Sequence, residues 1–115
     1  QKYVKEHLSL EDNKPVMFVF HGGSGSLPEE IEVAVQAGVG KMNIDTDTQW
    51  AFWNGIRQYY LKNEDYLQKQ VGTSTDAGHP NKKFYDPRAW MREGEKSMVE
   101  RVKEAFKELH CEGRN

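Results

Sequence analysis

Two stretches decide the fold: Val16-Met17-Phe18-Val19-Phe20-His21-Gly22-Gly23-Ser24-Gly25-Ser26, and Val39-Gly40-Lys41-Met42-Asn43-Ile44-Asp45-Thr46-Asp47. In the first, Val16 to Phe20 is an unbroken run of β-forming apolar residues, the pattern of a strand covered on both faces of a parallel sheet. It ends at His21 and opens into glycine and serine. Ser26 and Glu29 have the spacing of a capping box and Pro28 suits a first helical turn, so a helix starts there. Ile31, Ala34 and Val35 give that helix an apolar stripe, and Gly38 is a natural left-handed terminator. Val39 to Ile44 then reads as a second strand. Strand, helix and strand within about 30 residues make a βαβ unit with a right-handed crossover.

Working outward, Lys2 to Leu10 reads as the last turns of a helix and Glu11 to Lys14 as a polar turn. Asp45-Thr46-Asp47 leads into a helix from Thr48 to Lys62, with Trp53, Ile56 and Tyr60 on one face, and a shorter helix spans Glu64 to Gln70. Val71 to Lys82 has no periodicity and reads as a loop. Asp86 caps a helix whose first residue is Pro87. After Gly94, the stripe Met98, Val102, Ala105 and Leu109 predicts a terminal helix of about 15 residues. Two parallel strands do not make a stable sheet alone. The rhythm therefore asks for more βα units upstream, in a doubly wound sheet or an eightfold barrel of about 250 residues. A start at Gln1, inside a helix and without methionine, fits a chain that begins within a larger protein, although a processed start looks the same.

Of the 115 residues, 30% are charged and 37% hydrophobic, with a net charge of −2, which places the chain among soluble globular domains. Such a balance argues for neither a nucleic-acid nor an anionic-membrane partner. The longest apolar run, Pro15 to Phe20, is far too short to span a bilayer, and Gln1 to Leu10 is no signal peptide. The single cysteine, Cys111, excludes an internal disulfide framework and makes a reducing cytoplasm the default.

The first stretch carries an anion-binding pattern. Its small residues let backbone N–H groups approach a phosphate, Ser24 adds a hydroxyl, and the following helix brings its positive end. The competing reading is a flexible turn beside a core histidine. His21 alone cannot make a catalytic zinc site, which takes three protein ligands, and His7, His79 and His110 lie in polar contexts with no reason to converge on it. In the second stretch, alternation puts Lys41, Asn43 and Asp45 on one face of the strand. Polar side chains at the carboxy-terminal end of a parallel strand lie where α/β enzymes place their sites. Helix capping by Asp45 to Asp47 explains one of these residues but neither Asn43 nor Lys41. A Schiff-base role is a second reading of Lys41. Trp50, Trp53, Tyr59 and Tyr60 have the spacing of packing residues, and Asn81-Lys82-Lys83 is too small for a nucleic-acid patch.

Taken together, V-F-H-G-G-S-G-S from Val19, K-M-N-I-D-T-D-T-Q-W-A from Lys41 and N-K-K-F-Y-D-P-R-x-W from Asn81 closely resemble class II, zinc-dependent fructose-bisphosphate aldolases. The likeness runs from Gln1 to nearly the last residue. It implies an α/β (β/α)8 TIM barrel. Residues 1–70 would supply its last two strands with their helices, and residues 71–115 a loop and helical carboxy-terminal extension. It also implies reversible aldol cleavage of fructose 1,6-bisphosphate in glycolysis and gluconeogenesis, by a cytoplasmic homodimer without nucleic-acid or membrane partners.

By the same resemblance, His21 matches a zinc-binding histidine. Gly22, Gly23 and Ser24 match a loop that holds one substrate phosphate, near a monovalent cation (Na+ or K+). Asn43, Ile44, Asp45 and Thr46 match a second substrate-binding segment, with Asn43 reaching the dihydroxyacetone portion. Arg88 matches an arginine that the extension delivers to the sugar-phosphate site of the neighbouring subunit, and the long extension resembles the dimeric subgroup. The loop Thr73 to His79 departs from the family pattern, and Phe84 stands where tyrosine is frequent. The acid-base carboxylates and the other zinc ligands lie upstream in the family, so no catalytic acid or base is expected here and the chain by itself reads as an inactive fragment. The other reading is a phosphosugar- or nucleotide-binding module on an α/β fold. Against it, no G-x-G-x-x-G fingerprint is present: glycines 22, 23 and 25 follow a histidine.

Overall fold

Strands β1 (Phe18–Phe20) and β2 (Val39–Met42) pair in parallel, with Phe18 opposite Val39, Val19 opposite Lys41 and Phe20 opposite Met42. Helix α2 (Pro28–Gln36) forms the crossover. The other elements are α1 (Lys2–His7), α3 (Thr46–Lys62), α4 (Glu64–Leu67), α5 (Lys82–Tyr85) and α6 (Pro87–Glu108). The structure is a computed structural model and describes residues 1–114, one short of Asn115 at the end of the expected extension. The chain divides into two units: Gln1–Asp47 with Glu104–Asn115, and Thr48–Lys103.

In the first unit both strands are shorter than the apolar pattern predicts. Val16 lies outside β1 because the Gln1 carboxamide takes its backbone groups: Val16 N–H donates to Gln1 Oε1 at 3.0 Å, and Gln1 Nε2 donates to Val16 O at 2.7 Å. Pairing does extend past β2, since Asn43 N–H donates to Phe20 O at 2.9 Å. The cap of α2 sits one residue later than expected. Glu30 accepts the Leu27 N–H at 2.9 Å, and Leu27 has no side-chain acceptor to return the bond, so only half of a capping box forms. Ile31 is buried, and Gly38 takes the left-handed conformation expected of it at φ 101°. Among the described residues the apolar run that ends in β1 stays partly open: Met17 is 78% exposed and Val19 45%.

The end of α6 belongs to this unit. Cys111 N–H donates to Phe106 O at 2.9 Å while His110 is left-handed at φ 53°, a Schellman closure in which histidine stands at the usual glycine position. The His110 ring hydrogen-bonds Glu32 of α2, which also accepts the Gln36 amide. These two bonds, His110 first, hold the Glu32 carboxyl below its ordinary range.

In the second unit α3 and α6 pack through two glycines. A Cβ on Gly94 would lie 2.9 Å from the Phe52 ring, and one on Gly55 would lie 2.8 Å from Ser97 Cβ. Gly94 is thus interior to a helix of 22 residues and does not precede one, contrary to the sequence expectation. Its low helix propensity, about 1 kcal/mol against alanine, is offset by an approach no side chain permits. The loop before α5 is closed by a bridge between Val71 and Pro80. Buried Asn81 donates there to Lys69 O and Gly72 O at 3.0 and 2.6 Å. Trp50 and Trp53, expected as packing residues, are more than half exposed within this chain. Among the described residues no helix is long and apolar enough to cross a membrane.

Candidate functional site

Parallel pairing brings the carboxy-terminal ends of β1 and β2 side by side, so the two decisive stretches emerge together. Gly22 and Gly25 are left-handed, at φ 68° and 79°, and turn the first loop across the end of the sheet. Buried Gly23 donates its N–H to Asn43 O at 2.9 Å. A Cβ there would meet the Met42 side chain at 2.5 and 2.6 Å, so the loop backbone lies directly on β2.

Ser24 ties this loop to the head of α3. Its Oγ accepts Asp45 N–H at 3.3 Å and Asp47 N–H at 3.2 Å. With both lone pairs engaged, the hydroxyl hydrogen is left to donate outward. Asp47 returns the tie, its Oδ2 accepting Gly25 N–H at 3.3 Å. Sequence reading saw Asp47 only as a helix cap. Its hold on the loop depends on a partner twenty-two residues away that helix periodicity cannot reveal. The N–H groups of Gly22 and Ser24 have no protein acceptor among the described residues. Free donors, a polarised hydroxyl and the positive end of a 17-residue helix form an environment for a phosphate-like anion.

His21 and Asn43 meet beside this loop, with Asn43 Nδ2 3.1 Å from His21 Nδ1. The pair tests whether His21 can ligate a metal. A half-turn of the Asn43 amide offers its carbonyl oxygen to an Nδ1–H and leaves the Nε2 lone pair open, the arrangement a metal-bound histidine has. The ring is exposed, so a metal can reach it. His21 therefore fits as one ligand. No group of three His, Cys, Asp or Glu that could hold a metal occurs among the described residues, so a catalytic zinc would need ligands from outside this chain. Ile44 is half-buried behind Asn43, while Asp45 and Thr46 are exposed at the start of α3. Lys41 is also exposed.

Arg88 belongs to the second unit, in the first turn of α6. It folds back on its own cap. Asp86 Oδ1 accepts both Arg88 N–H at 3.0 Å and Nε–H at 2.9 Å, and Oδ2 accepts Nη2–H at 2.6 Å. The guanidinium, and then the backbone N–H, pull the Asp86 carboxyl down to about 2, and Asp86 in turn raises the arginine. One edge of the guanidinium is thereby committed. Nη1 and the second Nη2 hydrogen stay outward on a largely exposed side chain, a fork that can still take a phosphate oxygen.

Residues 2–114 match the family model described as "Fructose-bisphosphate aldolase class-II". The chain is 56% identical over its full length to a fructose-bisphosphate aldolase of Campylobacter jejuni, of which it covers 32%. It is 54% identical over 96% of its length to the class 2 enzyme of Escherichia coli, of which it covers 31%. A crystal structure of fructose-bisphosphate aldolase from Campylobacter jejuni superimposes with a TM-score of 0.94 at 56% identity, over 99% of this chain and 33% of that one. The chain thus spans about a third of the length of the relatives it matches.

Proposed function

The chain belongs to the class II fructose-bisphosphate aldolase family, and from that premise we propose that it supplies one phosphate-holding and metal-holding edge of an enzyme that reversibly cleaves fructose 1,6-bisphosphate into dihydroxyacetone phosphate and glyceraldehyde 3-phosphate. Its fold is that of two βα units of a (β/α)8 barrel followed by a helical extension. The observation that carries the proposal is the tie from Ser24 and Asp47 between the β1 loop and the head of α3, beside the His21–Asn43 pair.

In this reading the loop Gly22, Gly23 and Ser24 holds one phosphate with the free N–H groups of Gly22 and Ser24 and the outward hydroxyl, Gly23 keeping the loop on β2 through its bond to Asn43 O, and Ile44, Asp45 and Thr46 close the other side. Fixing the phosphate fixes the distance of the reacting carbons from the metal ligand, which lowers the entropy cost of the chemical step. Asn43 hydrogen-bonds the dihydroxyacetone end, turning its amide between that end and His21. His21 is one ligand of Zn2+, with a monovalent cation (Na+ or K+) near the loop. When bound, zinc supplies Lewis-acid stabilisation of the negative charge that develops on oxygen as the carbon–carbon bond breaks. Proton transfer falls to groups outside this chain. Arg88 presents the free edge of its fork to a sugar phosphate of the neighbouring subunit in a cytoplasmic homodimer, an enzyme of glycolysis and gluconeogenesis.

The test uses the full-length enzyme. His21→Ala should lower bound zinc, measured by elemental analysis, and cut turnover by orders of magnitude with the circular dichroism unchanged. Ser24→Ala should keep zinc and raise KM for the bisphosphate. Zinc content and rate near wild type in His21→Ala would make His21 a plain surface histidine and end the proposal for that residue.

A further inference from the structure

Helix α3 carries Asn54, Gln58 and Lys62 at four-residue intervals, and these line one wall of a cleft of about 750 Å³ within the second unit. Lys83 of α5 and Lys96 of α6 line the rest of it with Glu93. Three lysines face one carboxylate there, a balance of +2, and that carboxylate is already committed to Lys96 at 2.6 Å. Lys62 and Lys83 have no carboxylate partner among the described residues; Lys83 rests over the Phe84 ring, 5.2 Å from its centre. The amides are mixed: Asn63 Nδ2 is spent on Tyr59 O at 2.9 Å, whereas Asn54 keeps its donors. Asn54 Oδ1 accepts Arg57 Nη1–H at 3.2 Å, which leaves its N–H2 to donate. The Tyr59 hydroxyl is tied to Phe84 O at 2.9 Å and closes the floor.

A concave site within the usual size of small-molecule pockets, lined by two uncompensated ammonium groups and the Asn54 amide donor, suits a ligand with several negative oxygens. We infer that this cleft binds a small multivalent phosphate-bearing anion. None of its lining residues is one assigned above to the aldol reaction, and Glu93 is the one acid among them. Partial shielding by the cleft walls makes each lysine count for more than on an open face, and binding should weaken with added salt.

The test is a titration of the full-length enzyme with inorganic pyrophosphate, followed by amide NMR shifts so that each site is read separately. Saturating shifts are expected at Gln58, Lys62, Lys83 and Lys96, with a dissociation constant of about 1 mM or tighter at low salt. Lys62→Glu with Lys83→Glu should weaken them at least tenfold. Lys62→Gln with Lys83→Gln should weaken them less and keeps the result interpretable if charge reversal disturbs folding. Ser24→Ala should leave these shifts unchanged. Shifts confined to residues 22–24 and 45–47, no saturation, or equal affinity after the double charge reversal would each overturn the inference.

Discussion

Ser24 shows how much one hydroxyl can organise. It accepts two N–H groups at the start of α3, so its loss frees both and loosens the loop at once. Each such bond contributes about 1 kcal/mol net, and Ser24→Ala should therefore raise KM for a phosphorylated substrate of the full-length enzyme roughly tenfold. Ser24→Thr should recover part of that, and steady-state kinetics on the three proteins decide. Asp86 gives a pH prediction at the same scale. Its folded pKa of about 2 lies below the ordinary value of an aspartate, near 3.9. A depressed carboxyl stabilises fully above its unfolded pKa, and that contribution is lost as pH falls from about 4 towards 2. Thermal melts followed by circular dichroism should drop across this window more steeply for wild type than for Asp86→Asn. Parallel curves would mean that the Arg88 fork adds nothing to folding.

Between elements, the sharpest constraint is the glycine contact of α3 with α6. Alanine at Gly94 would press on Phe52, 2.9 Å from its ring and 3.0 Å from its carbonyl oxygen, whereas alanine at Gly55 would be driven to 2.3 Å from the Glu93 carbonyl oxygen. Ring edges can shift more easily than a helix backbone. Gly55→Ala is therefore expected to destabilise by about 1–3 kcal/mol despite its better helix propensity, and Gly94→Ala by less. Urea unfolding measures both. A neutral or stabilised Gly55→Ala would show that the helices do not approach so closely. The same contact explains why the sequence stripe located only the second part of α6: glycine inside a helix reads as a break until its neighbour is known.

For the whole molecule, the exposed apolar residues matter most. Met17 just before β1, Phe18 and Val19 within it, and Trp50 and Trp53 on α3 are open to solvent in a chain spanning about a third of its relatives. Isolated, the 115 residues should bind a hydrophobic dye, turn over no fructose 1,6-bisphosphate and hold zinc weakly, with His21 as one proposed ligand where about three are needed. Robust turnover by the purified chain, with or without added zinc, would refute this. In the full-length enzyme, chelation should abolish activity and zinc restore it. Borohydride with dihydroxyacetone phosphate should trap nothing on Lys41, as mass spectrometry of its peptide would reveal.

What the amino-acid order determined by itself was local and periodic. The apolar run of β1, the left-handed Gly38, the aspartate cap at Pro87 and the three motifs that mark the family all depend on neighbours a few residues apart. Even there, the cap of α2 moved from Ser26 to Leu27, because which carboxylate reaches back is settled by geometry and not by spacing alone. The tertiary structure decided what needs distant partners. Gln1 takes the backbone of Val16 and shortens β1; Asp47 grips Gly25; Asn43 faces His21; His110 reaches Glu32. Each of these contacts joins residues fifteen to seventy-eight positions apart. Helix and strand periods specify which face a side chain occupies, but only the folded backbone specifies what stands opposite that face.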